Sequence, residues 1–293
     1  MEKIGKTSRS VRQELFAAGC FLAPSLIGFA AFYLIPFLQS IGLSLMAQED
    51  GGGLTLRYYA EVLGSSSFQK AAANTLWFTA ISVPLLSCAS LGLALLLNRR
   101  VFIRKWLRAG FVLPLVVPAA SIVLVWQLLF DWNGAINAVM AGHGYPRTDW
   151  LKSDFARLAA ISIYVWKYVG YNVVLFLAGL QNIPQSYYEI ADLEGAGPVR
   201  KLFVITLTYL TPTTFLVLLM SILNSFKAFR ETYLIAGAYP HDSIYMTQHY
   251  MNNMFLSLDV QKLSAAAALT ATGVFALAVL FLRTERRFRS YME

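Results

Sequence analysis

Six apolar runs, separated by polar segments, dominate the chain and limit what it can fold into. Each run holds roughly 20 residues or more, the length that an α-helix needs to cross a hydrocarbon core about 30 Å thick. Charged residues make up only 14% of the chain, and they lie mainly between the runs. We therefore predict an all-α membrane protein with six transmembrane helices. The predicted spans cover about Leu15–Leu45, Ala71–Asn98, Ala109–Phe130, Phe155–Leu180, Leu202–Phe226 and Leu263–Leu282.

The lysine and arginine residues are distributed unevenly between the two sides of the predicted membrane. Fifteen of them fall in the two tails and in the segments after spans two and four, whereas eight are spread over the longer segments on the other side. Because cytoplasmic segments are enriched in Lys and Arg, we expect both termini to be cytoplasmic. The net charge of +8 thus reflects topology and predicts no nucleic-acid partner. We divide the chain into a tail of residues 1–14, a transmembrane domain of residues 15–282 and a tail of residues 283–293.

The segment after span four, residues 181–201, is unusually polar and rich in turn-forming residues. Ser186 precedes Glu189 by three residues, a capping-box spacing that predicts the start of a short helix. Gly195 is expected to end this helix, since glycine adopts the left-handed conformation without penalty, and Pro198 to open the next one. On spacing alone, this element is either a docking helix for a partner or an amphipathic helix at the membrane surface.

The same segment carries a recurrent pattern of small and acidic residues. It reads Glu189-Ile190-Ala191, then Glu194-Gly195-Ala196, then Ile205, Leu207 and Pro212. This pattern resembles the cytoplasmic EAA loop of binding-protein-dependent ABC importer permeases. Three residues depart from the family pattern, because Ile190 replaces an alanine, Glu194 an aspartate and Thr208 a proline. The last departure removes a residue that would bend the start of span five.

Further segments along most of the chain resemble the carbohydrate branch of that family, in particular its first, maltose-F-like or glycerol-phosphate-A-like permease. They are Phe21-Leu22-Ala23-Pro24, Tyr33-Leu34-Ile35-Pro36, Asn74-Thr75, Ala94-Leu95-Leu96-Leu97-Asn98, Leu113-Pro114, Trp126, Trp166-Lys167, Leu180-Gln181-Asn182-Ile183-Pro184 and Ser225-Phe226-Lys227-Ala228-Phe229.

The resemblance implies a type I ABC importer permease fold in a prokaryotic plasma (inner) membrane, forming half of a pathway for a carbohydrate or related small solute. Besides membrane lipid, the implied partners are a second permease, two ATPase subunits and an extracytoplasmic solute-binding protein. The ATPase would bind ATP, so this chain would be no enzyme and hold no cofactor. The residues that the resemblance assigns to ATPase coupling are Glu189, Ala191, Glu194, Gly195 and Ala196.

Two polar stripes on neighbouring spans indicate where a solute could pass, since polar groups within spans favour substrate pathways. One stripe comprises Tyr164, Lys167, Tyr168 and Tyr171 with Asn172 beside it, and the other comprises Ser221, Asn224 and Ser225. Aromatic rings can stack on sugar faces, and amides and hydroxyls can bind sugar hydroxyls. The same residues could instead anchor helices at the interface or hold them together.

Charged and nucleophilic residues bear on the alternatives. A self-contained secondary transporter or channel would place ionisable residues deep in several spans, whereas we expect only Lys167 there, near one end, from where it could extend to the surface. A single basic residue also favours a neutral carbohydrate over a phosphate ester. His241 and His249 fall in a predicted polar loop, residues 227–262, and indicate a solvated loop or a contact with the binding protein rather than a metal site. No nucleophile–base pattern supports an intramembrane enzyme.

Overall fold

The structure, a computed structural model, describes residues 8–47, 53–98, 110–111 and 113–290. Six helical stretches of this part of the chain are long and apolar enough to cross a membrane, which confirms the predicted number. They are Phe16–Leu45, Ser66–Asn98, Ala119–Gly142, Ala156–Gln181, Pro198–Ala236 and Val260–Arg287. The fifth stretch continues to Ala236, beyond its predicted end at Phe226.

The α-helices have the following bounds within the described part of the chain. In chain order they are α1 (Ser8–Phe29), α2 (Ile35–Leu45), α3 (Arg57–Gly64), α4 (Ser66–Asn98), α5 (Ala119–Phe130), α6 (Ala135–Gly142), α7 (Ala156–Gln181), α8 (Gln185–Leu193), α9 (Pro198–Lys201), α10 (Leu207–Ser225), α11 (Phe229–Ala236), α12 (Thr247–Leu256) and α13 (Val260–Ser290). Single π-helical turns, Ala30–Leu34 and Leu202–Thr206, join α1 to α2 and α9 to α10. Pro118 occupies the N-cap of α5, so the predicted third span is broken at this residue.

The core of the molecule lies where α4, α7 and α10 pack against one another. Leu86, Phe176 and Leu210, one from each helix, are fully buried there. Close approach of the backbones is possible because small residues lie at the contacts. At Gly170 a β-carbon would lie 1.6 Å from the carbonyl oxygen of Phe111, so no other residue fits this position without backbone movement.

The first span lies at the edge of the molecule. Within the described chain, none of the residues in its most apolar stretch is buried. Its second half, α2, packs against α13, and the hydroxyl groups of Ser44 and Tyr59 are 2.7 Å apart. Phe21, which is 88% exposed, belongs to an apolar surface that lipid or another subunit has to cover.

Three of the segments predicted as polar loops between the spans instead contain helices. α3 lies within residues 46–70, α6 within residues 131–154, and α11 and α12 within residues 227–262. The last of these segments also buries Glu231 and His249, which are 4% and 0% exposed. These helices are too short to be stable alone, and their packing against the spans, which no local pattern reveals, stabilises them.

Candidate functional site

Helix α8 lies between the fourth and fifth spans, in the segment that the sequence analysis singled out. It begins at Gln185 after Pro184, which takes the N-cap position with φ −60° and ψ 132°, and no side chain caps it. The prediction that Ser186 caps this helix is therefore wrong. Ser186 lies in the first turn and is exposed, because the proline already turns the chain into the helix.

A glycine turn ends α8 as predicted. Gly195 has φ +74°, the left-handed conformation that glycine adopts most readily. The N–H of Ala196 donates to the carbonyl of Ala191 at 2.8 Å, and the N–H of Gly195 donates to that of Asp192 at 3.1 Å. These two bonds form a Schellman motif, in which small residues at the Ala191 and Ala196 positions can approach each other.

Two side-chain contacts link α8 to the start of the fifth span. Lys201 donates from Nζ to Oδ1 of Asp192 at 2.5 Å, and the hydroxyl groups of Tyr188 and Thr206 are 2.9 Å apart. Pro198 occupies the first turn of α9, as predicted. A displacement of α8 would therefore be passed on to the helix that it precedes.

The outer surface of α8 is partly apolar, a feature that the sequence analysis did not identify. Leu193 is 90% exposed and Ile190 is 54% exposed. Glu189 is also exposed, and its carboxylate forms no ion pair with the described residues. The available signal was a pair of aliphatic residues, Ile190 and Leu193, three positions apart on a short helix that also carries acidic residues. Exposed apolar side chains next to acidic ones are typical of a protein-binding surface.

The start of the fifth span departs from a regular α-helix, although it lacks the proline of the family pattern. Residues Leu202–Thr206 form a π-helical turn, and the hydroxyl of Thr208 lies 3.4 Å from the carbonyl oxygen of Phe203, five residues earlier. Thr208 thus lies just after a π-helical turn, in the position where the proline of the family pattern would interrupt the helix.

The two predicted stripes face each other across α7 and α10, and half of their residues bond to one another or to α4. The hydroxyl of Tyr164 donates to the carbonyl of Ser221 at 2.6 Å, and the amide of Asn172 donates to the hydroxyl of Ser221 at 2.9 Å. The hydroxyl of Ser225 lies 2.8 Å from that of Thr79 in α4. These bonds hold three spans together in the core.

The other residues of the stripes have fewer contacts. Tyr171 and Asn224 are half-buried, and their side chains form no hydrogen bond with the part of the chain that is described. Tyr168 is buried, and the ammonium group of Lys167 lies 5.1 Å from the centre of its ring. These residues are the members of the stripes that remain available for a ligand or a partner.

Lys167 does not lie near one end of its span and does not extend to the surface. It is the twelfth of the 26 residues of α7, and it forms an ion pair with Glu231 of α11. The two side chains are 13% and 5% exposed. Glu231 was not predicted as a partner of Lys167, because it falls in a segment with the composition of a polar loop. The available signal was an acidic residue close after a predicted span.

The ion pair forms one wall of a cleft of about 600 Å³ between α7, α11 and α12. Aromatic and basic residues predominate in its lining, together with one acidic, one aliphatic and one amide residue. The lining comprises Lys167, Tyr168, Lys227, Phe229, Arg230, Glu231, Tyr233, Leu234 and Gln248. Such a combination of flat apolar rings and a few polar groups, in this range of volume, is typical of small-molecule sites.

The two histidines of the predicted loop take part in local structure. Nδ1 of His249 accepts from the N–H of Met246 at 3.1 Å, and Nδ1 of His241 lies 2.8 Å from the hydroxyl of Ser243. Burial lowers the pKa of His249 to about 4. His249 is thus an uncharged core residue at neutral pH and not part of a solvated loop.

Comparison with known proteins identifies related chains. A family model described as "Binding-protein-dependent transport system inner membrane component" matches residues 86–290. The chain is 31% identical to the probable ABC transporter permease protein YesP of Bacillus subtilis, over 79% of this chain and 77% of YesP. It is 28% identical to the trehalose/maltose transport system permease protein MalF of Thermococcus litoralis, over 96% and 97% of the two chains. It is 31% identical to the sn-glycerol-3-phosphate transport system permease protein UgpA of Agrobacterium fabrum, over 74% and 75%.

The fold is also similar to that of solved structures. A chain of a bacterial ABC transporter involved in the import of the acidic polysaccharide alginate superposes with a TM-score of 0.82 and 20% identity, over 95% of this chain and 98% of that chain. A chain of an amino acid ABC transporter superposes with a TM-score of 0.52 and 14% identity, over 80% and 100%.

Proposed function

Because the chain belongs to the family of binding-protein-dependent transport system inner membrane components, we propose that it forms half of the pathway of an ATP-driven saccharide importer and that α8 couples this pathway to an ATPase. The chain is a multi-pass permease subunit of the inner membrane. A second permease, two ATPase subunits and a solute-binding protein would complete the transporter. Family membership favours this function over a self-contained secondary transporter or channel.

Six spans put the two termini and α8 on one side of the membrane, and the excess of lysine and arginine in these segments favours the cytoplasmic side. The ATPase would meet the chain at this surface. The cleft beside Lys167 is lined by α11, the last part of the fifth stretch, and by α12, which follows it. It would thus lie toward the extracytoplasmic side, where a binding protein delivers its solute.

One observation carries the coupling role: α8 presents exposed apolar and acidic side chains, and it is linked to the fifth span at two points. Leu193 and Glu189 would contact a cleft of the ATPase, while Ala191, Glu194, Gly195 and Ala196 form or flank the turn. A rigid-body movement of the ATPase would then displace the fifth span relative to the fourth. ATP would bind to the ATPase, and this chain would contribute no nucleotide site.

The names of the relatives support a saccharide or a related small solute as the cargo. They include permeases for trehalose/maltose, lactose, arabinooligosaccharides and glycerol 3-phosphate. We propose that the solute passes along α7 and α10, near Tyr168, Tyr171 and Asn224. Tyr164, Asn172, Ser221 and Ser225 would hold the walls of this pathway in place.

The proposal is tested by purifying the tagged chain from the membranes of its source cells and measuring the ABC ATPase that co-purifies. We expect the ATPase to co-purify with the wild-type chain and to be lost, at least tenfold, from Leu193→Asp, because a charge enters the apolar contact. Leu54→Asp is the matched control: Leu54 is 85% exposed, and we place it on the opposite side of the membrane. Undiminished ATPase recovery with Leu193→Asp would contradict the docking role of α8.

A further inference from the structure

We propose that the cleft beside Lys167 accepts an acidic saccharide, whose anionic group is bound by Lys227 and Arg230. This inference rests on the proposed function, since it names the substrate class of the proposed pathway. It also differs from the neutral carbohydrate that the sequence favoured.

The cleft carries two positive charges that the described part of the protein does not neutralise. The charge of Lys167 is balanced by Glu231, with which it forms a buried ion pair. Lys227 and Arg230 line the same cleft and are exposed. Among the described residues, no carboxylate lies within ion-pairing distance of either of them. A neutral ligand would leave both charges uncompensated, whereas an anion would form charge-assisted hydrogen bonds with them.

The fold assembles the basic groups that were not apparent from the sequence. A single lysine in span four was weak support for an anionic ligand. In the structure, the 3₁₀ segment Phe226–Ala228 and the first turn of α11 bring Lys227 and Arg230 to the cleft that Lys167 borders. The two residues are three positions apart, so they lie on neighbouring turns of one helical surface.

The remaining lining suits a sugar ring rather than a bare anion. Tyr168, Phe229 and Tyr233 provide aromatic surfaces, and Gln248 of α12 provides an amide that can donate to or accept from hydroxyl groups. The volume of about 600 Å³ exceeds what a simple inorganic anion fills. Aromatic rings and cations in the same lining together favour a saccharide that bears a carboxylate, sulfate or phosphate.

The test measures ligand binding by the full chain in lipid nanodiscs, together with the subunits that co-purify with it. Two matched pairs of probes are used: trigalacturonate with maltotriose, and glucose 6-phosphate with glucose. We expect the acidic probe of at least one pair to bind at least about tenfold more tightly than its neutral partner. One charge-assisted hydrogen bond is sufficient for this ratio of affinities. In Lys227→Gln/Arg230→Gln this preference should fall at least tenfold, while the affinity for the neutral probe is unchanged.

Two control variants show whether the charge itself is responsible. Lys227→Arg/Arg230→Lys keeps both charges and should retain the preference, and Lys152→Gln removes an exposed charge elsewhere and should leave it intact. The inference is overturned if no acidic probe binds better than its neutral partner, if no saccharide binds at all, or if the preference survives in the double glutamine variant. If the chain co-purifies with an ATPase but prefers neutral saccharides, only this inference is overturned. If no ATPase co-purifies, the result counts against the proposed function.

Discussion

Lys167 in the middle of the fourth span and Glu231 in the first turn of α11 form a buried ion pair. The pair links the last part of the fifth stretch to the fourth span, and the two residues are 64 positions apart in sequence. It also lies between the cleft and the core of the molecule, where Tyr164 and Ala160 are buried. The orientation of α11, and with it the positions of Lys227 and Arg230, therefore depends on this contact.

Replacing Glu231 by glutamine is expected to destabilise the protein by about 3–5 kcal/mol, because Lys167 would remain buried without a counter-charge. The midpoint of thermal unfolding of the detergent-solubilised chain measures this effect. The paired change Lys167→Met/Glu231→Leu removes both charges and should recover most of the loss. If Glu231→Gln unfolds at the wild-type temperature, the pair does not orient α11.

Gly195→Val is expected to uncouple ATP hydrolysis from uptake, because a β-branched residue at φ +74° costs at least about 1–2 kcal/mol and distorts the turn after α8. Gly197→Val is the matched control, since Gly197 has φ −66° and a β-carbon at this position would have no atom within 4 Å. Uptake by proteoliposomes and ATPase activity are measured on the same preparation. Equal uptake-to-hydrolysis ratios for the two variants would refute the role of the turn.

Glu189→Lys should also uncouple ATP hydrolysis from uptake, because it reverses an exposed charge on α8.

Tyr168→Ala and Asn224→Ala are expected to raise the substrate concentration for half-maximal uptake about tenfold, since each removes a stacking surface or a hydrogen bond from the proposed pathway. Tyr145→Ala, in a loop where the tyrosine is 65% exposed, should leave uptake unchanged. Concentration-dependent uptake of the cognate solute by proteoliposomes distinguishes these cases. Wild-type values for both pathway variants would rule out this location of the pathway.

The stability of the protein is expected to fall as the pH is lowered from about 6.5 to about 4. Burial depresses the pKa of His249 to about 4, so in this interval the unfolded chain binds a proton that the folded chain does not. The contribution of neutral His249 to the free energy of unfolding is complete above pH 6.5. It amounts to about 3 kcal/mol, because each unit of pKa shift corresponds to about 1.4 kcal/mol. Unfolding temperatures measured between pH 4 and 7 give the slope. His249→Gln should flatten it, whereas the same change at the exposed His143 should not. An unaltered slope in His249→Gln would show that other groups determine the pH dependence.

The number of spans, the glycine turn after α8 and the proline at the start of α9 could be predicted from the sequence. Each depends on local chemistry: the length of an apolar run, the backbone freedom of Gly195 or the fixed φ of Pro198. Even at this level a neighbouring residue can change the outcome, since Pro184 and not Ser186 begins α8.

The cleft was decided by tertiary structure alone. Lys167 was visible as a lysine within a span, but its partner Glu231 and the basic residues Lys227 and Arg230 belong to a segment that resembled a polar loop. Their proximity to the fourth span follows from how α11 packs, and contacts between residues far apart in sequence leave no periodic pattern. The sequence by itself thus determined which segments enter the membrane, because transfer of apolar surface depends on composition. Only the folded chain decided which charges meet and which remain unpaired, because an ion pair depends on distance in space.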